Sequence, residues 1–205
     1  MENMTEYKSA AEHLDHLFDL LNARYFENAL SKPIITIQST PKVFGHVTVD
    51  EIWKAGEEKR HELNIGAETI SRPIANVAAT MIHEMVHLYN MANQIKDTSR
   101  GGTYHNKAFK REAEARDLII TYNERIGWSV TQPTDALKEW CTQQDLAPIR
   151  ITRLFQEKIT KKKTSTRKYV CPCCDQSIRA TKDVNLICGA CYEKTGMIIH
   201  LEKEE

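Results

Sequence analysis

The chain of 205 residues has room for one domain of ordinary size, or for a main domain with a small appendage. Hydrophobic residues make up 41% and charged residues 27% with a formal net charge of zero, which excludes disordered and fibrous classes. No apolar run is long enough to cross a bilayer, and Met1-Glu2-Asn3-Met4-Thr5-Glu6 lacks the basic and apolar stretches of a secretory signal, so a cytosolic or nuclear setting with no membrane partner is expected.

In chain order, Leu14, Leu17, Phe18, Leu21, Tyr25, Phe26 and Ala29 form an i, i+3, i+4 stripe that predicts an amphipathic helix over 6–30. Pro33 follows, and Ile34 to Gln38 reads as a strand. Two further β-like runs, Val43–Val49 and His61–Ile65, are bounded by Gly45, Gly56 and Gly66. A second helix is expected from Pro73 to Gln94, with Ser71 and Pro73 as start signals. A loop at 97–102 leads into a third helix, predicted from Tyr104 to Arg125. Short helices near 134–142 and 148–158 complete the reading, and the order of elements predicts an α+β domain.

Zero net charge conceals an asymmetry. Residues 1–149 carry 16 Lys and Arg against 21 Asp and Glu, while residues 150–205 carry 12 against 7. Five of the six cysteines crowd into 171–191, leaving Cys141 apart as a buried or lone thiol. Clustered cysteines in a reducing compartment point to metal rather than disulfides. The expected organisation is a domain over 1–149, a basic linker over 150–168 and a cysteine module over 169–205.

The central motif is His83-Glu84-Met85-Val86-His87, an H-E-x-x-H sequence. Helical residues four apart differ by about 40° of rotation, so both imidazoles can face one ion, with Glu84 beside them as a base for a water. The projection sets Val77, Ala78, Met81, Ile82, Met85, Leu88 and Tyr89 toward the core. It sets His83 and His87, with Asn76, Thr80 and Asn90, toward a polar cleft or solvent. A catalytic zinc takes three protein ligands, and His105 is the leading third, with Glu112 and Glu114 as alternatives. His13, His16, His46, His61 and His200 have no ligand spacing, and His13 and His16 are expected to face solvent. Tyr89 and Tyr104 are weak candidates as oxyanion donors.

Near the C-terminus, Cys171-Pro172-Cys173-Cys174 and Cys188-Gly189-Ala190-Cys191 form a C-x-x-C, 13 residues, C-x-x-C arrangement. Two such knuckles supply four thiolates in a closed tetrahedron, a structural zinc held by Cys171, Cys174, Cys188 and Cys191, with Cys173 spare. So small a module has too little core to fold without the ion.

The chain resembles the SprT family of zinc metalloproteases, which includes the eukaryotic Spartan proteases. The resemblance runs from Leu17-Phe18-Asp19-Leu20-Leu21-Asn22-Ala23-Arg24-Tyr25-Phe26 through Ile34–Ile37, Trp53 and the His83–His87 helix to His105-Asn106-Lys107-Ala108-Phe109. The last segment is similar to the family's H-G-x-x-F, with Asn106 in place of Gly, a departure that bears on the local turn. The resemblance implies a zincin-like domain with a C-terminal zinc ribbon. It also implies one catalytic zinc on His83, His87 and His105, Glu84 as general base, and cleavage of DNA-bound or DNA-crosslinked proteins.

Residues 150–182 hold ten Lys and Arg against Glu157 and Asp175. Lys161, Lys162, Lys163, Arg167, Lys168 and Arg179 are the candidate phosphate contacts, and Tyr169 and Tyr192 the candidates for stacking on single-stranded bases. The alternative to a peptidase is a non-proteolytic nucleic-acid-binding or regulatory zinc protein; the intact Glu84 favours the peptidase.

Overall fold

The apolar stripe near the N-terminus folds as helix α1 (Glu2–Phe26), with Leu14, Leu17, Phe18 and Leu21 sealed from solvent. Each such side chain contributes about 1.5–3 kcal/mol on burial. The helix stops four residues before the predicted end. Glu27 and Asn28 take positive φ, and the Asn22 side chain bonds both the N–H and the carbonyl of Leu30, fixing the reversal. The structure, a computed structural model, describes residues 2–40, 42–144, 146–154 and 166–204, and divides the chain into two compact units, Met1–Phe155 and Gln156–Glu205. No helix of the described residues is long and apolar enough to cross a membrane.

Unit 1 is α+β. Strands β1 (Ile34–Gln38), β2 (Gly45–Val47), β3 (Trp53–Ala55), β4 (Glu58–Arg60) and β5 (Glu62–Gly66) precede helix α2 (Ile74–Ala92). Strands β6 (Thr98–Ser99) and β7 (Tyr104–His105), helix α3 (Lys107–Glu114), strands β8 (Leu118–Asn123) and β9 (Gly127–Pro133), and helix α4 (Asp135–Gln143) follow it. One sheet has the order β1-β5-β2, with β1 parallel and β2 antiparallel to β5. A second has the order β6-β7-β9-β8, and β3 with β4 forms a hairpin.

Helix α2 is the hub, packing against β2, β5, β9, α1, α3 and α4. Of its predicted polar face, Thr80 and Asn90 are buried together with Val77, Met81, Ile82 and Met85, while Asn76, His83 and His87 are half-buried. The helix is covered on its polar side by β2 and β9, so its histidines open onto a cleft rather than a free surface.

The third predicted helix is the main departure. Tyr104 and His105 form a strand, and Asn106 then caps an eight-residue helix by accepting from the N–H groups of Ala108 and Phe109. Asp117 turns the chain at positive φ, and Leu118–Asn123 continues as a strand in which Leu118 and Ile120 are buried and Ile119 and Thr121 are exposed. Residues 146–154 contain no helix, and the rest of the one expected near 148–158 lies outside the described residues. This segment runs along unit 1: Ile149 is in the core, the Arg153 N–H donates to the Ala67 carbonyl, and Arg153 faces Glu68 at 3.9 Å. His13 also differs from expectation, its Nε2 buried without a partner and its pKa pushed down by burial and by His16.

Unit 2 has strands β10 (Arg167–Val170), β11 (Ser177–Ala180) and β12 (Glu202–Lys203) in the order β11-β10-β12, all antiparallel, and helix α5 (Gly189–Thr195). Its buried cluster is Cys171, Cys188 and Cys191, with Ile199 and Leu201 against them.

Candidate metal centres

His83 and His87 project from consecutive turns of α2, and His105 arrives on β7, which pairs antiparallel with β6 and parallel with β9. His105 is therefore carried by a strand, two residues before the first residue of the helix expected to present it. The Nε2 atoms of His83 and His87 each lie 3.1 Å from the Nε2 of His105. Nitrogens bound at 2.0–2.1 Å to one tetrahedral ion would stand about 3.3 Å apart, so the cluster has the dimensions of a ligand set.

The opposite ring nitrogens say what the cluster is for. His87 Nδ1 meets the Asp97 carboxylate at 2.7 Å, and His105 Nδ1 faces the Ile126 carbonyl at 3.4 Å. His83 Nδ1 meets Thr131 Oγ1 at 2.7 Å, and that hydroxyl spends its proton on the Ser129 carbonyl. Every Nδ1 thus faces an acceptor and carries the ring proton, which leaves three Nε2 lone pairs pointing at one another. Three converging acceptors repel unless a cation sits between them. Burial acts the same way: with its neighbouring imidazoles it holds His83 well below the usual histidine range and His105 down to about 4, keeping both rings neutral.

Phe109 is the common support. Fully buried on α3, its ring lies 4.5 Å from that of His83, 4.8 Å from that of His87 and 4.6 Å from that of His105, centroid to centroid. Asp97 is buried in turn and receives a second hydrogen bond from Asn90 at 3.0 Å, and these bonds outweigh its desolvation and hold its pKa down.

Glu84 lines the same cleft, 6% exposed. Burial pushes its carboxyl up to about 7, opposed by His87 and by the Val47 N–H. Gly45 lets β2 approach this closely, since a Cβ there would stand 2.8 Å from the Asn64 carbonyl oxygen and 3.0 Å from Thr80 Cγ2. The cleft measures 490 Å³, and Val43, Phe44, Val49, Met91, Ile126 and Val130 are among its apolar walls.

The alternative third ligands are engaged elsewhere. Glu112 is tied to Arg111 and Arg116, and Glu114 lies 3.6 Å from Lys110. Tyr89 packs on Phe26 and Arg116, and Tyr104 bonds the Tyr122 hydroxyl; neither lines the cleft. Sequence reasoning missed Asp97 and Thr131, which reach their histidines from a loop and from a strand 48 residues away, and gave Phe109 no role.

In unit 2, Cys171 and Cys191 stand 3.8 Å apart, and Cys174 and Cys188 3.6 Å apart. Thiolates at 2.3 Å from one tetrahedral ion would lie about 3.8 Å apart, whereas a disulfide spans only about 2.05 Å. Against desolvation, the N–H groups of Cys173 and Cys174 draw the Cys171 thiol down to about 7. Cys173 is exposed and outside the cluster, and Cys141 is buried in unit 1, its thiol pushed up to about 11 by burial.

Of the candidate phosphate contacts, Lys161, Lys162 and Lys163 lie outside the described residues. Arg167 pairs with Asp183 at 3.0 Å and Lys168 with Glu204 at 2.8 Å, while Arg179 is exposed on β11 without an ion pair among the described residues. Tyr169 is buried, its hydroxyl bonded to Asp183 and to the Val184 N–H, so it offers no face for stacking; Tyr192 is exposed.

The α+β unit bears a three-imidazole group and the small unit a four-thiol group, each of which could hold a metal ion. The chain matches no protein-family model and no curated protein sequence.

Proposed function

We propose that this chain is a zinc-dependent endopeptidase of the SprT kind, with a zincin-like catalytic unit and a C-terminal zinc ribbon, acting on proteins bound or crosslinked to DNA. One observation carries the reading: three imidazoles converge at the floor of an open cleft beside a buried carboxylate. A site made only to hold an ion needs no such carboxylate.

Imidazole and thiolate donors in tetrahedral sets suit zinc best. When bound at the imidazoles, zinc supplies a Lewis acid for the scissile carbonyl and acidifies water. The protein's own residues do the rest. Asp97, Thr131 and the Ile126 carbonyl fix the ring tautomers, and Phe109 fixes the ring planes. Glu84 takes the proton of the attacking water and hands it to the departing amine, a task suited to a carboxyl titrating near neutrality.

Substrate geometry is consistent with this chemistry. Strand β2 lies at the edge of its sheet, paired among the described residues with β5 alone, and contributes Gly45, His46 and Val47 to the cleft wall. An edge strand can take an extended peptide by main-chain hydrogen bonds, which binds many sequences alike. Val43, Phe44 and Val49 are exposed at the rim and add apolar contact without demanding one side chain. Low peptide selectivity requires that substrates be delivered by another contact, and the excess of Lys and Arg over 150–182 fits DNA in that role.

The test is incubation of the full chain with a DNA-binding protein, with and without single-stranded DNA. Cleavage is expected with DNA and is lost in Glu84→Gln, which retains its zinc. Equal cleavage by that variant ends the peptidase reading. Activity indifferent to DNA and to moderate salt would instead point to one dedicated protein target.

A further inference from the structure

Next to His105, but outside the cleft, three aromatic side chains gather at the surface of unit 1. Tyr104 from β7, Tyr122 from β8 and Trp128 from β9 wall a hollow of 440 Å³, completed by Asn106 and Lys107. No residue lining it also lines the cleft, so it is not an extension of the peptide site.

Its chemistry is specific. The Tyr104 and Tyr122 hydroxyls are 3.1 Å apart, one donating to the other, and the rings of Tyr122 and Trp128 lie 5.1 Å apart. Tyr122 is 47% exposed. Cations ring the group: Arg100 lies 4.4 Å from the Tyr104 ring centroid, and Lys110 4.1 Å from that of Trp128. Lys107, exposed at the mouth, makes no ion pair among the described residues, and no carboxylate lines the hollow. Glu124 is near enough to Tyr122 to act on it electrostatically.

The backbone holds the group together by an unusually close approach. Gly127 has positive φ, and a Cβ there would collide with the carbonyl oxygen of His105 and stand 3.0 Å from the Tyr104 ring. A glycine here lets β9 close on β7, which brings Trp128 beside Tyr104 and the hollow beside the third imidazole.

One exposed ring, Tyr122, beside two half-buried ones, Tyr104 and Trp128, bordered by cations, matches the needs of an unpaired base on a phosphate backbone. Bases stack on the rings and phosphates meet the cations, whereas a duplex keeps its base faces inside. We propose that this hollow is a stacking site for single-stranded nucleic acid on unit 1, separate from the basic stretch of 150–182. It rests on the DNA-delivery part of the proposed function and gives that delivery a contact adjoining the imidazole cluster.

The experiment titrates the full chain with a short fluorescent oligothymidylate, without any peptide, and follows anisotropy. Tyr122→Ala and Trp128→Ala are each expected to weaken binding about tenfold. Lys107→Glu weakens it and flattens its salt dependence, and Glu124→Lys strengthens it. An abasic oligomer of the same length should bind the wild type weakly and be indifferent to Tyr122→Ala. Zinc content and circular dichroism verify that each variant is folded; Glu124→Lys and Lys107→Glu, both surface changes, serve if Trp128→Ala is not. The proposal is overturned if both aromatic variants bind within twofold of wild type, or if the abasic oligomer binds as tightly as the normal one. Clear preference for oligouridylate would overturn the assignment to DNA. A raised KM for peptide in Tyr122→Ala with unchanged oligonucleotide affinity would reassign the hollow to the peptide substrate. Glu84→Gln should bind oligothymidylate like wild type, so this proposal and the peptidase reading fail separately.

Discussion

The two candidate metal centres rest on opposite relations between ligands and fold. In unit 1 the three imidazoles stand on a scaffold complete without them: α1, α2 and the β1-β5-β2 sheet enclose a core containing Leu14, Phe18, Leu63, Ile65, Met81 and Met85. In unit 2 the ligands are themselves the core, since Cys171, Cys188 and Cys191 are its buried cluster. An ion in the first place is a guest on a finished surface; in the second it is the interior. A site meant for chemistry needs the first arrangement, because its ion must keep an open side without the fold depending on it.

Metal removal should separate the two most strongly. A strong chelator is expected to unfold unit 2 entirely, since zinc contributes about 10–16 kcal/mol to the folding of such modules. Unit 1 should keep its helices, read as retained circular dichroism and as protease resistance confined to residues 1–155. Cys188→Ser should reproduce the unfolding of unit 2 alone, leaving the imidazole site able to bind its ion.

Within unit 1 the largest single effect should come from Phe109→Ala, which removes the ring touching all three imidazoles. It is expected to cost about 3–5 kcal/mol in denaturant unfolding and to weaken metal binding as well. Asp97→Asn should spare the fold but lower metal affinity about 10–100-fold, measured by competition with a chromogenic chelator. Thr131→Val should act in the same direction and less, because a hydroxyl orients a ring more weakly than a carboxylate does. If Asp97→Asn and Thr131→Val bind metal like wild type, the tautomer argument for the cluster is wrong.

Much of the centre was legible because it is local. His83, Glu84 and His87 lie on two consecutive turns of one helix, and the apolar positions of α2 repeat around them. The cysteine pairs are equally local, each closed by a knuckle of two residues. What could not be read depends on chain returns. Asp97 reaches His87 because the chain reverses at Gln94, which takes positive φ, and it looked like one polar residue in a polar loop. Thr131 comes from a strand that had no recognised pattern. The helix predicted over 104–125 failed at both ends. Good helix formers between Lys107 and Arg116 mask the β-branched run Ile119-Ile120-Thr121, and Asn106 is a cap where the pattern predicts helix interior. Asn106 is extended, with φ −97°, so the position does not need glycine, and its side chain serves the helix.

The most direct test of the account is metal analysis of the purified full chain beside His105→Ala, with cleavage of a DNA-bound protein assayed on the same samples. Two zinc ions per wild-type chain and one per variant chain are predicted, with cleavage lost in the variant. A variant that still holds both ions, or that still cleaves, would contradict the claim that these three imidazoles grip a hydrolytic ion.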